Sequence, residues 1–297
     1  MTAEEYQEVN ALKTGLLMVV LFALFMGLGR LIGGPSGLLV GFALALVMNF
    51  VAYWFSDKMA LAVSGAQQVS ESEAPGLYRV VADLARRASL PMPRVYVIPS
   101  MQPNAFATGR NPSNAAVAVT EGLLRMMSVD ELEGVVAHEL AHIRNRDILI
   151  SSIAATIVGA ISLVTQMLQF RALFGGGRDD DGESANPLAA LLTAVVFGIA
   201  ATLVQLAISR AREYEADRVG AQISGNPLAL ASALRRIEGA AERMPMAVSP
   251  AASHMYIINP LGGDSLRSLA ALFRTHPLTE ERVARLEAMA YGGAVRR

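Results

Sequence analysis

Cysteine is absent from the chain, which excludes disulfide bonds and thiolate metal ligands alike. Histidine is scarce: the four are His138, His142, His254 and His276. Any transition metal must therefore be held by these few imidazoles together with Asp or Glu. Charge is thin as well, at 17% of residues, where soluble domains carry about 25%. Neither sign dominates, since 25 Lys and Arg face 26 Asp and Glu for a net charge of -1. That balance leaves no basic field of the kind that binds nucleic acid.

Apolar residues fill the space, at 53% of 297. They gather into four stretches, from about 16 to 32, 38 to 55, 148 to 170 and 188 to 208. A bilayer core takes roughly 20 helical residues, so the chain reads as a multi-pass membrane protein. The second stretch ends in Tyr53, Trp54 and Phe55, an aromatic belt suited to an interface. The first carries Arg30, which must reach outward to headgroups or water. Four crossings divide the chain into an N-terminal hairpin (1–57), a polar segment (58–147), a second hairpin (148–208) and a second polar segment (209–297). Both polar segments fall on the side of the N-terminus. Lys13, Lys58, Arg144, Arg146, Arg210, Arg212 and Arg218 flank the spans there, against Arg30, Arg171 and Arg178 opposite, which predicts a cytoplasmic domain. The 171–187 connection, with Gly175, Gly176 and Gly177 ahead of Asp179, Asp180 and Asp181, reads as a solvated loop.

The polar segments mix helix and strand, so the fold class is mainly α with a small sheet. Glu73 to Ala88 has a helical apolar face, while Arg94 to Ile98, Asn104 to Thr108 and Ala115 to Thr120 read as strands. Ser128 and Glu131 form a capping box ahead of another helix. Pro227 to Met244 and Thr279 to Met289 read as two more.

The helix opened by Ser128 runs SVDELEGVVAHELAHIRNRD. His138 and His142, four apart, rise from one face and can meet a single zinc ion. Glu139 lies one step round the helix, placed to serve as a base for water rather than as a ligand. A third protein ligand is needed, and the run SRAREYEADR offers Glu213 or Glu215, between which spacing alone does not choose. Asp217, four residues after Glu213, could accept a hydrogen bond from the far nitrogen of a ligand histidine. Asp147 reads as the cap of the third apolar stretch, with support of a ligand histidine as the alternative, and His254 as structural. Asn104 to Thr108, with small Ala105 and Ala107, suits an edge strand that a substrate backbone could approach, as it suits ordinary sheet packing.

HELAHIRNRD followed after two apolar stretches by REYEAD resembles the HtpX family of bacterial membrane metalloproteases, relatives of the CAAX prenyl proteases. The resemblance extends to PNAFATG at 103–109, HMYIINPL at 254–261 and THPLTEER at 275–282. It implies membrane helices plus a zincin-like α+β metalloprotease domain, with one zinc ion held by His138, His142 and Glu213. It implies Asp217 beside a ligand histidine, Asn104, Ala105 and Phe106 near the cleft, and His276 stabilising the oxyanion with Arg282 nearby on the substrate side. A histidine that only packs at a helix entry is the alternative for His276. The implied partners are polypeptide substrates and the lipid bilayer of the bacterial cytoplasmic membrane. The implied activity is cleavage of misfolded or damaged membrane proteins. A prenyl-CAAX protease would want more spans than the four available; a non-catalytic membrane scaffold or transporter is the third reading, and a transporter would want ionisable groups inside its spans, whereas stretches two to four hold no acidic, basic or histidine side chain.

Overall fold

The structure is a computed structural model that describes residues 3–154, 210–241, 243–244, 255–258 and 277–292. The third apolar stretch beyond residue 154, the 171–187 connection, the fourth stretch, His254 and His276 lie outside the described residues.

Helix α1 is assigned over Ala3–Val63, yet it doubles back on itself. In a straight helix Gly29 and Gly37 would be about 12 Å apart. Here a Cβ on Gly29 would collide with the backbone of both Gly37 and Gly41, and the Phe22 and Phe42 rings meet edge to face at 5.4 Å. The reversal lies at Gly34, whose φ of +59° suits glycine, with Pro35 next to it. Its two arms, Glu8–Gly27 and Gly34–Val63, are each long and apolar enough to cross a bilayer. The buried face of the first arm is Asn10, Leu17, Leu21 and Leu24. The three leucines pack with Ala52, Ile150, Ile153 and Ala154, so this arm lies against the helical segment 148–154.

Four strands form one mixed sheet in the order β1-β2-β4-β3, with β1 at Gln67–Gln68, β2 at Arg94–Ile98, β3 at Ala105–Gly109 and β4 at Ala115–Thr120. β2 runs parallel to β4, and β3 antiparallel to it, which leaves β3 as an edge. Every residue of β4 is buried, and its side chains alternate between two faces. Val117 and Val119 join α2 (Pro75–Arg87) and α4 (Val129–Arg144) in the main core. Ala116 and Ala118 face Leu61, Phe106 and Tyr256, their small size leaving room for the rings. The short α3 (Glu121–Met126) turns the chain from β4 into α4.

α4 is the axis of the domain. Ser128 and Glu131 cap each other reciprocally at its start. Glu131 also holds Ser232 at 2.7 Å and Arg236 at 2.6 Å on α6 (Pro227–Ala241). Leu140 at its centre is fully buried, worth about 1.5–3 kcal/mol for such a side chain. Two glycines bring neighbours close: a Cβ on Gly134 would meet the Leu230 backbone of α6 at 2.9 Å, and one on Gly220 the His138 backbone at 2.8 Å. Gly220 belongs to α5 (Arg210–Ser224), which therefore lies directly against the turn of α4 that bears the first histidine. α7 (Thr279–Gly292) packs over α5 and α6.

Candidate active site

The α-helical repeat turns His138 and His142 to one side of α4, where their Nε2 atoms lie 3.2 Å apart. Facing them across the α4–α5 contact is Glu213, its carboxylate oxygens 3.8 Å from His138 Nε2 and 3.6 Å from His142 Nε2. One ligand atom from each residue falls within 4.8 Å of the others, and no other such group of three occurs among the described residues. Glu213, Asp217 and Gly220 share one face of α5 at spacings of four and three. Glu215 points elsewhere and pairs with Arg218 at 2.5 Å. Glu139 is buried beside the histidines, and the backbone of Ala107 on the β3 edge lies near enough to favour its charged form. His138, His142, Glu213, Glu139, Ala107 and Ile257 line one pocket.

Carboxylates hold both imidazoles from behind. His138 Nδ1 donates to Asp217 at 2.9 Å, and His142 Nδ1 donates to Asp147 at 3.1 Å. An ionised carboxylate only accepts, so each Nδ1 bears the hydrogen and each Nε2 turns its lone pair inward. Asp217 is fixed in turn by Arg282, whose Nε and Nη2 reach it at 2.8 and 2.7 Å. Burial opposes the Asp217 charge, but the Arg282 guanidinium outweighs it and brings the pKa down to about 2.

Two lone pairs at 3.2 Å repel unless a positive charge lies between them. Burial, with Arg282 adding to it, lowers the His138 pKa to about 4, so this ring is neutral. Burial also opposes charge on His142, yet the Asp147 hydrogen bond and the Glu213 carboxylate overcome it and raise the pKa to about 9. Without a metal, a proton on His142 Nε2 fills the gap. The residues thus fit a bound cation: two neutral-capable imidazoles and a carboxylate, borderline and hard donors with no thiolate. Burial and the Glu213 charge raise the Glu139 carboxyl to about 7, within the range useful for a proton acceptor.

Asn104, Ala105 and Phe106 are buried under the segment 255–258: Ile257 N–H donates to the Ala105 carbonyl at 3.0 Å, and Asn104 Nδ2 donates to Ile258 O at 2.9 Å. Phe106 stacks edge to face on Tyr256. Arg282 lies beside His138, 1% exposed, its Nη1 donating to Ile257 O at 3.0 Å and standing 3.9 Å from a Glu213 oxygen. Asp147 is more than a cap. Its backbone carbonyl accepts from Ser151 N as a cap residue's should, but its side chain is spent on His142 and on Asn10. Sequence reasoning missed Asn10, whose one trace is a polar residue on an otherwise apolar helical face, and met Ala107 and Ile257 only as members of the 104–108 strand and the 254–261 motif.

Residues 71–290 match the family model described as Peptidase family M48. The chain is 54% identical over 283 residues to a "Protease HtpX homolog" of Pelotomaculum thermopropionicum, covering 95% of this chain and 100% of that one. It is equally identical over 287 residues to a "Protease HtpX homolog" of Burkholderia thailandensis, covering 96% and 98%. Among solved structures it is similar to the crystal structure of S. mikatae Ste24p at 19% identity and a TM-score of 0.49, covering 92% of this chain and 62% of that one.

Proposed function

Because the chain belongs to peptidase family M48, and within it to the HtpX proteases, we propose that this membrane metalloprotease is a zinc endopeptidase acting on misfolded or damaged membrane proteins. The observation that carries the reading is the convergence of His138, His142 and Glu213 within 4.8 Å, beside the buried Glu139 carboxylate. These three side chains would hold one zinc ion. When bound, zinc supplies Lewis acidity that polarises the scissile carbonyl and acidifies the attacking water. Glu139 accepts the water's proton and delivers it to the departing amine nitrogen. The Ala107 backbone favours the charged form of Glu139.

Asp217 and Asp147 orient the two imidazoles, and Arg282 keeps Asp217 ionised and in place. Asn104, Ala105 and Phe106 shape the cleft through the wall they build with residues 255–258. His276 is proposed to stabilise the oxyanion, on the strength of the 275–282 motif. The substrate class follows from the resemblance and from the anchoring of the domain, whose β2 is tied to the end of α1 by Arg94 and Asp57 at 2.7 Å. An active site held at the foot of a membrane hairpin meets chains that emerge from the bilayer. The proposed location is the bacterial cytoplasmic membrane, with the site facing the cytoplasm.

The test is Glu139→Gln in detergent-purified protein. Zinc content after dialysis should equal that of the parent, while casein cleavage should fall by at least about 100-fold, the usual scale for a lost general base. Retained cleavage, or loss of zinc, would remove Glu139 from the base role.

A further inference from the structure

Asn10 is 2% exposed on the first arm of α1, a helix whose buried neighbours on the same face are leucines. Its Nδ2 donates to Asp147 Oδ1 at 2.6 Å and to the Asn145 carbonyl at 3.0 Å, so both amide hydrogens are used. Flipping the amide would set its oxygen against those two acceptors, so the orientation is dictated. The same orientation leaves Asn10 Oδ1 buried without a hydrogen-bond partner among the described residues. An apolar residue would avoid that cost of about 1–3 kcal/mol. The donor end must therefore matter.

Asp147 connects the two halves of the arrangement. Oδ1 accepts from Asn10, and Oδ2 accepts from His142 Nδ1 at 3.1 Å. The backbone presents it for this purpose. α4 ends in a Schellman turn, with Asp147 N–H donating to His142 O at 3.0 Å and Arg146 N–H to Ile143 O at 3.1 Å. The turn needs a left-handed residue, and Arg146 adopts φ +58° although it is not glycine. Asp147 is thereby folded back onto the histidine five residues before it. The leucines of the same α1 face, seven to fourteen residues on, pack on Ile150, Ile153 and Ala154, which fixes where Asn10 falls relative to Asp147.

We infer that Asn10 is a positioning residue for the metal site, holding Asp147 so that Asp147 holds His142. The membrane helix is then part of the metal-binding apparatus rather than only an anchor. The inference rests on the reading of His142 as a ligand.

The experiment measures the zinc dissociation constant of full-length protein in detergent by competition with a chromogenic chelator. Direct partners of ligands are worth about 10–100-fold in affinity. One step further out, Asn10→Ala should weaken zinc by about threefold to tenfold, and Asn10→Asp, which keeps the shape but has no donor, by at least as much. Asp147→Ala should weaken it more, and adding Asn10→Ala to Asp147→Ala should change nothing further. Asn49→Ala, on the same helix but bonded among the described residues only to its own Ala45 carbonyl, should match the parent. If Asn10→Ala fails to insert, Asn10→Asp carries the comparison. Parent-like affinity in both Asn10 variants, or an equal loss with and without Asp147, would overturn the inference. His142→Ala separates this from the underlying reading: if it keeps parent affinity, the ligand assignment has failed; if it loses zinc while the Asn10 variants keep theirs, only the inference has.

Discussion

Glu213 has a neighbour, Glu215, that a sequence could confuse with the ligand, and the geometry separates them. Glu213 and Asp217 lie about 40° apart round α5, whereas Glu215 is about 200° from Glu213 and cannot face the same ion. Its carboxylate is already bound by Arg218 through two nitrogens at 2.5 and 2.8 Å. Zinc titration of three purified variants should follow that order. Glu213→Ala loses most of the affinity, Asp217→Ala loses about 10–100-fold, and Glu215→Ala stays near the parent; metal lost by Glu215→Ala but kept by Glu213→Ala would reverse the assignment. A pH dependence follows from the proton between the imidazoles. Because the His142 pKa is raised to about 9, that nitrogen is protonated at neutral pH in the metal-free chain, and an incoming ion must displace the proton. Affinity should therefore climb with pH, by about tenfold per unit from 7 toward 9, and level off above about 9. Asp147→Asn removes the largest influence raising this pKa and should move the plateau to lower pH. A flat profile from pH 7 to 9 in the parent would show that no proton is displaced.

At the scale of elements, the site exists because two helices touch at backbone distance. A Cβ on Gly220 would come within 2.8–2.9 Å of His138 backbone atoms, and no side-chain rotation relieves that. Gly220→Ala gains about 1 kcal/mol of helix propensity but incurs about 1–3 kcal/mol of overpacking, so it should lower the melting temperature. It should also weaken zinc, since Glu213 and Asp217 ride on the same face of α5. Gly239→Ala, in α6 where among the described residues a Cβ meets only the tip of Arg243 at 3.6 Å, should instead stabilise by about 1 kcal/mol. Thermal unfolding of the pair tests this, and a Gly220→Ala protein as stable and as tight for zinc as the parent would contradict the close-contact account. Such elements were readable where the cause is local. Ser128 and Glu131 announce the start of α4, and the strands at 94–98 and 115–120 stand where their alternation puts them. β3 is Ala105–Gly109, one residue later than Asn104 to Thr108, because Asn104 spends its side chain on Ile258 and on its own strand end. The two-residue β1 and the short α3 carry too little pattern to be seen.

Across the whole molecule, what the sequence concealed is what joins distant segments. Asn10 meets Asp147 across 137 positions, Arg282 meets Asp217 across 65, and Ile257 meets Ala105 across a similar gap to the first. A period of 3.6 or 2 records which face is buried, not which remote group it meets, so Asp147 reads from sequence first as a cap. The same long-range bonds constrain topology. Asn10 near the start of the first arm is tied to the end of α4, and Asp57 near the end of the second is tied to β2. Both feet of the hairpin therefore stand on the catalytic domain, while Gly34 and Pro35 sit at the far tip. Arg110 over the Trp54 ring at 4.4 Å adds a contact at the domain-side foot. If each arm crosses the bilayer, a reporter placed in the 33–37 turn must read the opposite compartment from one placed after Arg297. With basic residues concentrated on the domain side, the turn should report the periplasm and the fusion after Arg297 the cytoplasm. Alkaline phosphatase and green fluorescent protein fusions at the two sites make the measurement. Matching compartments would mean that α1 lies on the membrane or enters without crossing, and the hairpin would then be a lipid-facing lever on Asn10 rather than a transmembrane post.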